Sequence, residues 1–319
     1  MKILVVGGAG FIGSVLVPRL IDRGYDVEVI DLFWFGNQLP PGVKARNKNI
    51  FDLTGEDLNQ FHQVVFMAGL SNDPMAEFSP AKNFIFNAAA PTYLAYIAKK
   101  AGVRRYIYAG SCSVYGYTVN ELYDEQSPAI SSYPYGIAKL QGEHAILQMA
   151  DAGFSVIALR QGTVCGYSPR MRLDLVVNTM LKTAVEDRSI RVNNPAIWRP
   201  ILGIQDAASA YIRAIEANVD ISGVFNVASG NYTVGEIGDL VGASVENFLG
   251  FEPQLKIEHI EDYRNYKVSC DKARKVLGFH PKQDIEAIVA DLTANLEKFR
   301  DFDNPNYYNI KVFQRLEAS

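Results

Sequence analysis

The sequence predicts an α/β protein, a doubly wound parallel sheet with helices on both faces and a smaller α/β lobe toward its C-terminus. Three observations predict it. Short β-branched runs alternate with helical stretches over the first 165 residues, a glycine-rich turn joins the first run to the first helix, and the rhythm breaks after about residue 166.

Lys2–Val6 (KILVV) is apolar throughout, as a strand covered on both faces requires. Residues 11–23 repeat apolar positions at helical spacing, and Gly24 sits where a helix would stop. Asp26–Asp31 (DVEVID) reads as the second strand, residues 49–53 (NIFDL) as a third and residues 64–68 (VVFMA) as a fourth. Residues 81–101 read as one long alanine-rich helix closed by Gly102. Residues 104–109 and 154–160 are further strands, with a helix over about 133–150 between them. Such alternation implies right-handed crossovers and hence parallel strands. Beyond residue 166, residues 168–178 are charged and then helical, 193–199 read as loop and short strand, and 201–217 as a return to the main sheet. Smaller helices at 234–248, 270–277 and 283–299 follow. The expected division is residues 1–165 plus about 201–228 for the sheet domain, and about 166–200 plus 229–319 for the smaller lobe. That lobe is expected on the C-terminal ends of the strands, without a flexible tether.

Composition excludes several function classes. The chain has 319 residues, 48% apolar and 21% charged, which is too apolar for disorder. Lysine and arginine number 31 against 35 acids, a net charge of −4, so no basic excess tracks a nucleic-acid backbone. Cys112, Cys165 and Cys270 are far apart and lack metal-ligand spacing, which argues for a reducing compartment and against a metal site. No stretch is long enough to span a bilayer. The apolar start (MKILVVGGAGFIGSVLV) imitates a secretory leader but has no small-residue cleavage site after it. The expectation is a soluble, cytoplasmic protein without membrane or nucleic-acid partner.

Gly7-Gly-Ala-Gly10-Phe-Ile-Gly13 follows the first strand directly. Gly7 suits the torsions of the turn, Gly10 admits a pyrophosphate to the main chain, and Gly13 lets helix and strand pack closely. The helix amino end then offers unpaired N–H groups and partial positive charge to phosphates. Asp31 closes the second strand 18 residues beyond Gly13, placed to accept from both ribose hydroxyls and to repel a 2′-phosphate. No lysine or arginine stands beside it, so the cofactor expected is NAD rather than NADP.

Tyr135-Gly-Ile-Ala-Lys139 puts a phenol and an ammonium on one face of a helix. A nearby cation favours the phenolate, and lowering a tyrosine from about 10 prepares a general base. Tyr133 is the competing phenol, but only Tyr135 has a lysine at i+4. Ser111-Cys112-Ser113 follows a strand directly, setting a hydroxyl where open α/β sheets bind ligands.

Glycine turn, serine and Tyr-x-x-x-Lys, in this order, resemble the extended short-chain dehydrogenase/reductases, specifically the NAD-dependent nucleotide-sugar epimerases and dehydratases, over nearly the whole chain. The resemblance implies a Rossmann fold in which Tyr135 is the acid/base, Lys139 tunes it and holds the nicotinamide ribose, and Ser111 bonds the reacting oxygen. It further implies cofactor contacts from Phe11 and Ile12 in the turn, Asn37 near the adenosine, Asp52 at the adenine and Ala68 after the fourth strand. On the substrate side it implies Arg170, Arg172, Asn178, Arg199 and Arg264 around a sugar-linked diphosphate, with Ser71 and Ser113 by the sugar. Dimerisation through the Tyr135 helix and residues 81–101 is implied as well.

Departures limit the reaction. Dehydratases of the family carry Asp-Glu where this chain has Cys112 and Ser113, so 4,6-dehydration is disfavoured. Cys112 reads as a buried structural thiol, with a general base as the alternative. The fourth strand reads Phe66-Met-Ala-Gly69 in place of His-Leu-Ala-Ala, and Ser71-Asn-Asp-Pro74 is a candidate polar wall by the nicotinamide. The expected activity is oxidation at C4 of a nucleotide-linked hexose, with epimerisation favoured. A one-way C4 dehydrogenase or 4-ketosugar reductase, and a non-catalytic NAD-binding regulator, are the alternatives.

Overall fold

The computed structural model describes residues 1–259 and 264–318. The strands among them are β1 (Lys2–Val6), β2 (Asp26–Asp31), β3 (Lys44–Asn47), β4 (Gln63–Phe66), β5 (Arg105–Ser111), β6 (Tyr117–Tyr123), β7 (Ser155–Gln161), β8 (Thr163–Cys165), β9 (Ser189–Asn193), β10 (Trp198–Gly203), β11 (Gly223–Val227), β12 (Gly230–Thr233), β13 (Gln254–Glu258) and β14 (Asn265–Val268). Seven form one sheet in the order β11-β7-β5-β4-β1-β2-β3, and every pair in it is parallel. Strand order reverses between β1 and β4, which opens a crevice at their carboxyl ends, where such sheets bind dinucleotides. The third strand is Lys44–Asn47 rather than residues 49–53. Pairing of β2 with Lys44–Asn47 leaves Ile50–Asp52 as a 3-10 turn.

The principal helices are α1 (Gly13–Asp22), α2 (Gly55–Leu58), α3 (Asp73–Phe78), α4 (Pro80–Phe84), α5 (Ala90–Lys100), α6 (Pro134–Leu147), α7 (Val176–Asp187), α8 (Ile204–Glu216), α9 (Val234–Leu249), α10 (Ile285–Ala294) and α11 (Asn309–Ala318). The long helix expected over 81–101 is interrupted by a π turn at Ile85–Ala89. Pro91 explains it. Proline offers no N–H to the carbonyl four residues back and crowds it. That carbonyl, on Asn87, instead accepts the Tyr108 hydroxyl at 3.0 Å.

One buried cluster joins Ile3, Val5, Val29, Ile107 and Leu159 of the main sheet to Leu16 and Leu20 of α1 and to Tyr211 of α8. A second joins Leu181, Val241, Ile288 and Phe299 beyond residue 166 and reaches Phe11 of the glycine turn. Residues 201–217 divide differently from expectation. Trp198–Gly203 pairs with β8 and β12 in a separate three-stranded sheet, α8 packs on the main one, and Gly223–Val227 is the strand that joins the main sheet. Two features lacked any sequence signal strong enough to read. These are the parallel pair β6–β14 and the terminal α11, whose Phe313 meets Trp34 and Phe78.

Candidate active site

The glycine turn sits at the mouth of the crevice. Gly7 has φ +80°, and a Cβ there would lie 2.5 Å from the Ala68 nitrogen, so strands β1 and β4 close on it without room for a side chain. A Cβ on Gly13 would lie 2.4 Å from the Gly8 carbonyl oxygen, whereas one on Gly10 would meet only the Gly7 carbonyl at 3.1 Å. Thus Gly7 and Gly13 are closed by their own fold, and Gly10 keeps its outer face bare. Helix α1 has no side-chain cap and no acid in its first turn. Its amino end is left for an anion. The Phe11 carbonyl accepts the Ser168 hydroxyl at 2.7 Å, which ties the turn to the segment after β8.

Asp31 accepts the N–H of Ala9 at 3.0 Å and of Phe33 at 2.8 Å, one on each carboxylate oxygen. A carboxylate has further lone pairs for two ribose hydroxyls. Burial pushes its pKa up, and the two backbone donors and Arg170 oppose that shift. Asn37 lies exposed, with its side-chain oxygen turned to the Leu39 N–H at 3.0 Å, and Asp52 is exposed in its 3-10 turn. The bare face at Gly10, the uncapped helix and the partly satisfied Asp31 fit an NAD molecule.

Arg170 was expected by the substrate and stands on the Asp31 side. Its guanidinium carbon lies 3.6 Å from the Phe35 ring centroid, and it bonds Asn309 of α11. Burial pulls its pKa to about 9, with Asp174 and Asp31 opposing. Sequence gave no hint of Asn309, which reaches across from the last helix and also donates to Ser71 at 2.5 Å.

Ser111 ends β5, and Pro134–Leu147 carries Tyr135 and Lys139 past it. Gly136 and Gly142 let this helix approach, since Cβ atoms there would lie 2.6 Å from the Ser113 oxygen and 2.5 Å from the Asn87 oxygen. The Ser111 hydroxyl favours the ionised form of the Tyr135 phenol. Ser111 also accepts the Ser113 N–H at 3.1 Å. The Lys139 ammonium donates to the Ala109 carbonyl at 3.0 Å and stands 5.8 Å from the Tyr135 ring centroid. Burial drives the two groups apart in the unexpected sense. It pushes the phenol well above its usual range, against the pull of Ser111, and draws Lys139 down to about 7. Phenol and ammonium share one helix face and titrate as a coupled pair.

The opposite wall gathers Ser113, Arg172, Arg199 and Arg264, which the resemblance set by the substrate, with Tyr266, Asp73 and Asp174. Ser113 and Tyr266 hydroxyls are 3.4 Å apart, and the Arg199 guanidinium carbon is 5.9 Å from the Tyr266 ring. Arg199 donates to the Arg264 carbonyl. Arg264 pairs with Asp73 at 2.5 Å, and Arg172 grips Asp174 at 2.9 and 3.1 Å. Arg172 also acts electrostatically on Tyr135 and lies 5.8 Å from the Phe11 ring, linking the turn to the phenol. Asn178 is fully used internally. Its amide donates to the Gly166 and Arg172 carbonyls at 3.0 and 2.8 Å and accepts the Gly166 N–H at 3.0 Å, which holds the 166–172 loop. Cys112 is buried, donates to the Arg160 carbonyl at 3.1 Å, and is pushed well up by burial, so it is a structural thiol. Among the described residues, no group of three or more histidine, cysteine or acidic side chains gathers to hold a metal.

Fold and site together define an NAD-dependent enzyme of the Rossmann type. The sequence profile of the NAD dependent epimerase/dehydratase family matches residues 3–228, and the chain belongs to that family. The UDP-glucose 4-epimerase of Corynebacterium glutamicum is similar, at 27% identity over 92% of this chain and 95% of its own. A solved UDP-glucose 4-epimerase from Thermotoga maritima, with UDP-glucose, superposes with a TM-score of 0.83 at 25% identity, covering 94% of this chain and all of that one. MoeE5 in complex with UDP-glucuronic acid and NAD superposes at 0.81, also 25% identical, covering 94% and 99%.

Proposed function

We propose that this enzyme is a nucleotide-sugar 4-epimerase. The observation that carries the reading is the Ser111–Tyr135–Lys139 group at the carboxyl end of β5, linked through Arg172 to the glycine turn. Bound NAD supplies a hydride acceptor and donor at its nicotinamide ring. Tyr135 takes the proton of the sugar C4 hydroxyl, Ser111 bonds the same oxygen, and Lys139 carries charge near the phenol. The resulting 4-keto sugar turns while its diphosphate is held, and Tyr135 returns the proton when the opposite face is reduced. Arg199 is the cation we assign to the substrate diphosphate, and Arg172 and Arg264, each paired with a carboxylate, line the same wall and face the sugar. Arg170 and Asn178 are left out, because one is packed on the Asp31 side and the other is consumed by its loop.

Three further readings accompany this one. The buried, unbridged thiols of Cys112, Cys165 and Cys270 support a cytoplasmic site of action. The separate cluster beyond residue 166 supports a substrate lobe made of about 166–200 plus 229–319, against a cofactor domain of 1–165 plus about 201–228. An apolar face on α4, α5 and α6 supports a homodimer.

The test is incubation with NAD and a panel of uridine-, thymidine-, guanosine- and cytidine-diphosphate hexoses, followed by sugar analysis and NADH absorbance. Formation of the C4 epimer with no net NADH is expected. Stoichiometric NADH with a single oxidised product would instead establish a one-way dehydrogenase.

A further inference from the structure

Asp73 has no part in the chemistry above. It begins α3 and is 7% exposed. One carboxylate oxygen, Oδ2, accepts from Arg264 at 2.5 Å, while Oδ1 is buried and accepts no hydrogen bond among the described residues. A buried carboxylate oxygen without a donor is costly, so its retention asks for a donor from elsewhere. Helix capping does not account for it, since Asn72 already accepts the Met75 N–H at 3.2 Å as the N-cap.

Its neighbours locate it. Its partner Arg264 accepts from Arg199 on its carbonyl, and the Arg199 guanidinium carbon lies 5.9 Å from the Tyr266 ring. The Tyr266 hydroxyl is 3.4 Å from that of Ser113, which sets the carboxylate on the wall assigned to the substrate. The preceding Asn72 donates to Asp174 at 3.0 Å, and Asp174 in turn holds Arg172. Asp174 is thus supplied with donors on both oxygens, and Asp73 on one. Arg172 and Arg264 on this wall each face a carboxylate, Asp174 and Asp73. A substrate carboxylate entering here would meet Asp73 in a poorly screened site, whereas a sugar hydroxyl would complete it.

We propose that Asp73 is a specificity-determining residue, accepting a hydrogen bond from a hydroxyl of an uncharged hexose through Oδ1 and turning away hexuronates. The inference rests on the nucleotide-sugar reading above and names its substrate class. Asp73→Asn keeps size and shape, leaves one oxygen to accept from Arg264, turns the other position into an NH2 donor and removes the charge.

The experiment measures kcat/KM for UDP-glucose and UDP-glucuronate in the wild type, Asp73→Asn and Asp73→Ser, with NAD affinity as the check that the fold is intact. Wild type is expected to favour UDP-glucose. In Asp73→Asn the glucose-to-glucuronate ratio should fall by about tenfold or more, the scale of one charged hydrogen bond. Asp73→Ser, which retains an acceptor without charge, should lose less on UDP-glucose. Equal losses on both sugars, or a wild type that prefers UDP-glucuronate, overturn the role of Asp73 while leaving the epimerase reading intact. A wild type that binds NAD yet turns over no sugar of the wider panel overturns that reading and this inference with it.

Discussion

Burial opposes charge on both members of the Tyr135–Lys139 pair, and this sets how the enzyme should respond to pH. Lysine 139 is held near 7 by burial while the phenol is pushed well up, so the proton lost near neutrality belongs to the pair. The rate of sugar oxidation should rise as pH passes about 7 and then level off. In Lys139→Met the rise should move to higher pH, as stopped-flow measurement of NADH formation would show; an unmoved profile would remove Lys139 from the proton chemistry. Stability follows the same shift. Since the folded pKa of about 7 lies below the unfolded value of 10.5, the unfolded chain binds more protons between them. Stability from this group therefore increases with pH across that window, and its burial cost is fully present below 7. Thermal melts of the cofactor-free protein should show Lys139→Met gaining on wild type below pH 7, with the gap closing toward 10.5. Tyr135→Phe should cut turnover by roughly 10² to 10⁴-fold with NAD affinity unchanged in calorimetry. Spacing alone made this pair legible, because i and i+4 share a helix face in any context. The direction of the pKa shifts was not legible, because burial is set by Ala109, Tyr108 and the rest of β5, which sequence does not place.

The glycine turn separates two uses of the same residue type. Gly13 is closed by backbone 2.4 Å from where its Cβ would be, while Gly10 meets only one oxygen at 3.1 Å and faces outward. Gly13→Ala should therefore lower the melting temperature of the cofactor-free protein as well as NAD affinity. Gly10→Ala should weaken NAD and leave that temperature nearly unchanged. Parallel melts and titrations would separate them, and equal melting losses would contradict the assignment of Gly10 to the pyrophosphate. The strands that carry this turn were readable because β1, β4, β5 and β7 are buried on both faces and carry a central apolar stretch (ILVV, VVF, YIYA, VIAL), while β2 carries β-branched residues between acids (DVEVID). Edge strand β3 (KARN) is half exposed and polar, and carries no such signature. Strand β6 pairs with β14, some 140 residues later, and nothing local foretells that partner. The π turn was hidden for the opposite reason. Its cause, Pro91, was in plain view, but its stabilising partner is a hydroxyl from another strand.

Helix α6 gives Tyr135 and Lys139 to the cleft and turns Gln141 and Ala145 toward a shallow apolar depression shared with Phe84, Ala88, Ala89, Thr92 and Tyr93. Around it, Ile85 is 43% exposed and Tyr96 54%. Apolar surface continuous over three helices is the feature that association buries, and a twofold pairing of this face would set α5 and α6 against their copies in a four-helix arrangement. In such a pairing catalysis and assembly would share one helix, with Tyr135 and Lys139 on one side and the contact on the other. Ala89→Glu would place a charge among the apolar side chains of that contact. Burying it unpaired costs several kcal/mol, on the order of the stability of a modest dimer. Sedimentation velocity should show wild type as a dimer at micromolar concentration and Ala89→Glu as a monomer. Because α6 loses its support in the monomer, turnover should fall along with dimerisation, while the glycine turn, on the far side of β4 from this helix, should still bind NAD. A wild type that sediments as a monomer, or a variant that remains dimeric, would show that some other surface, or none, serves for association.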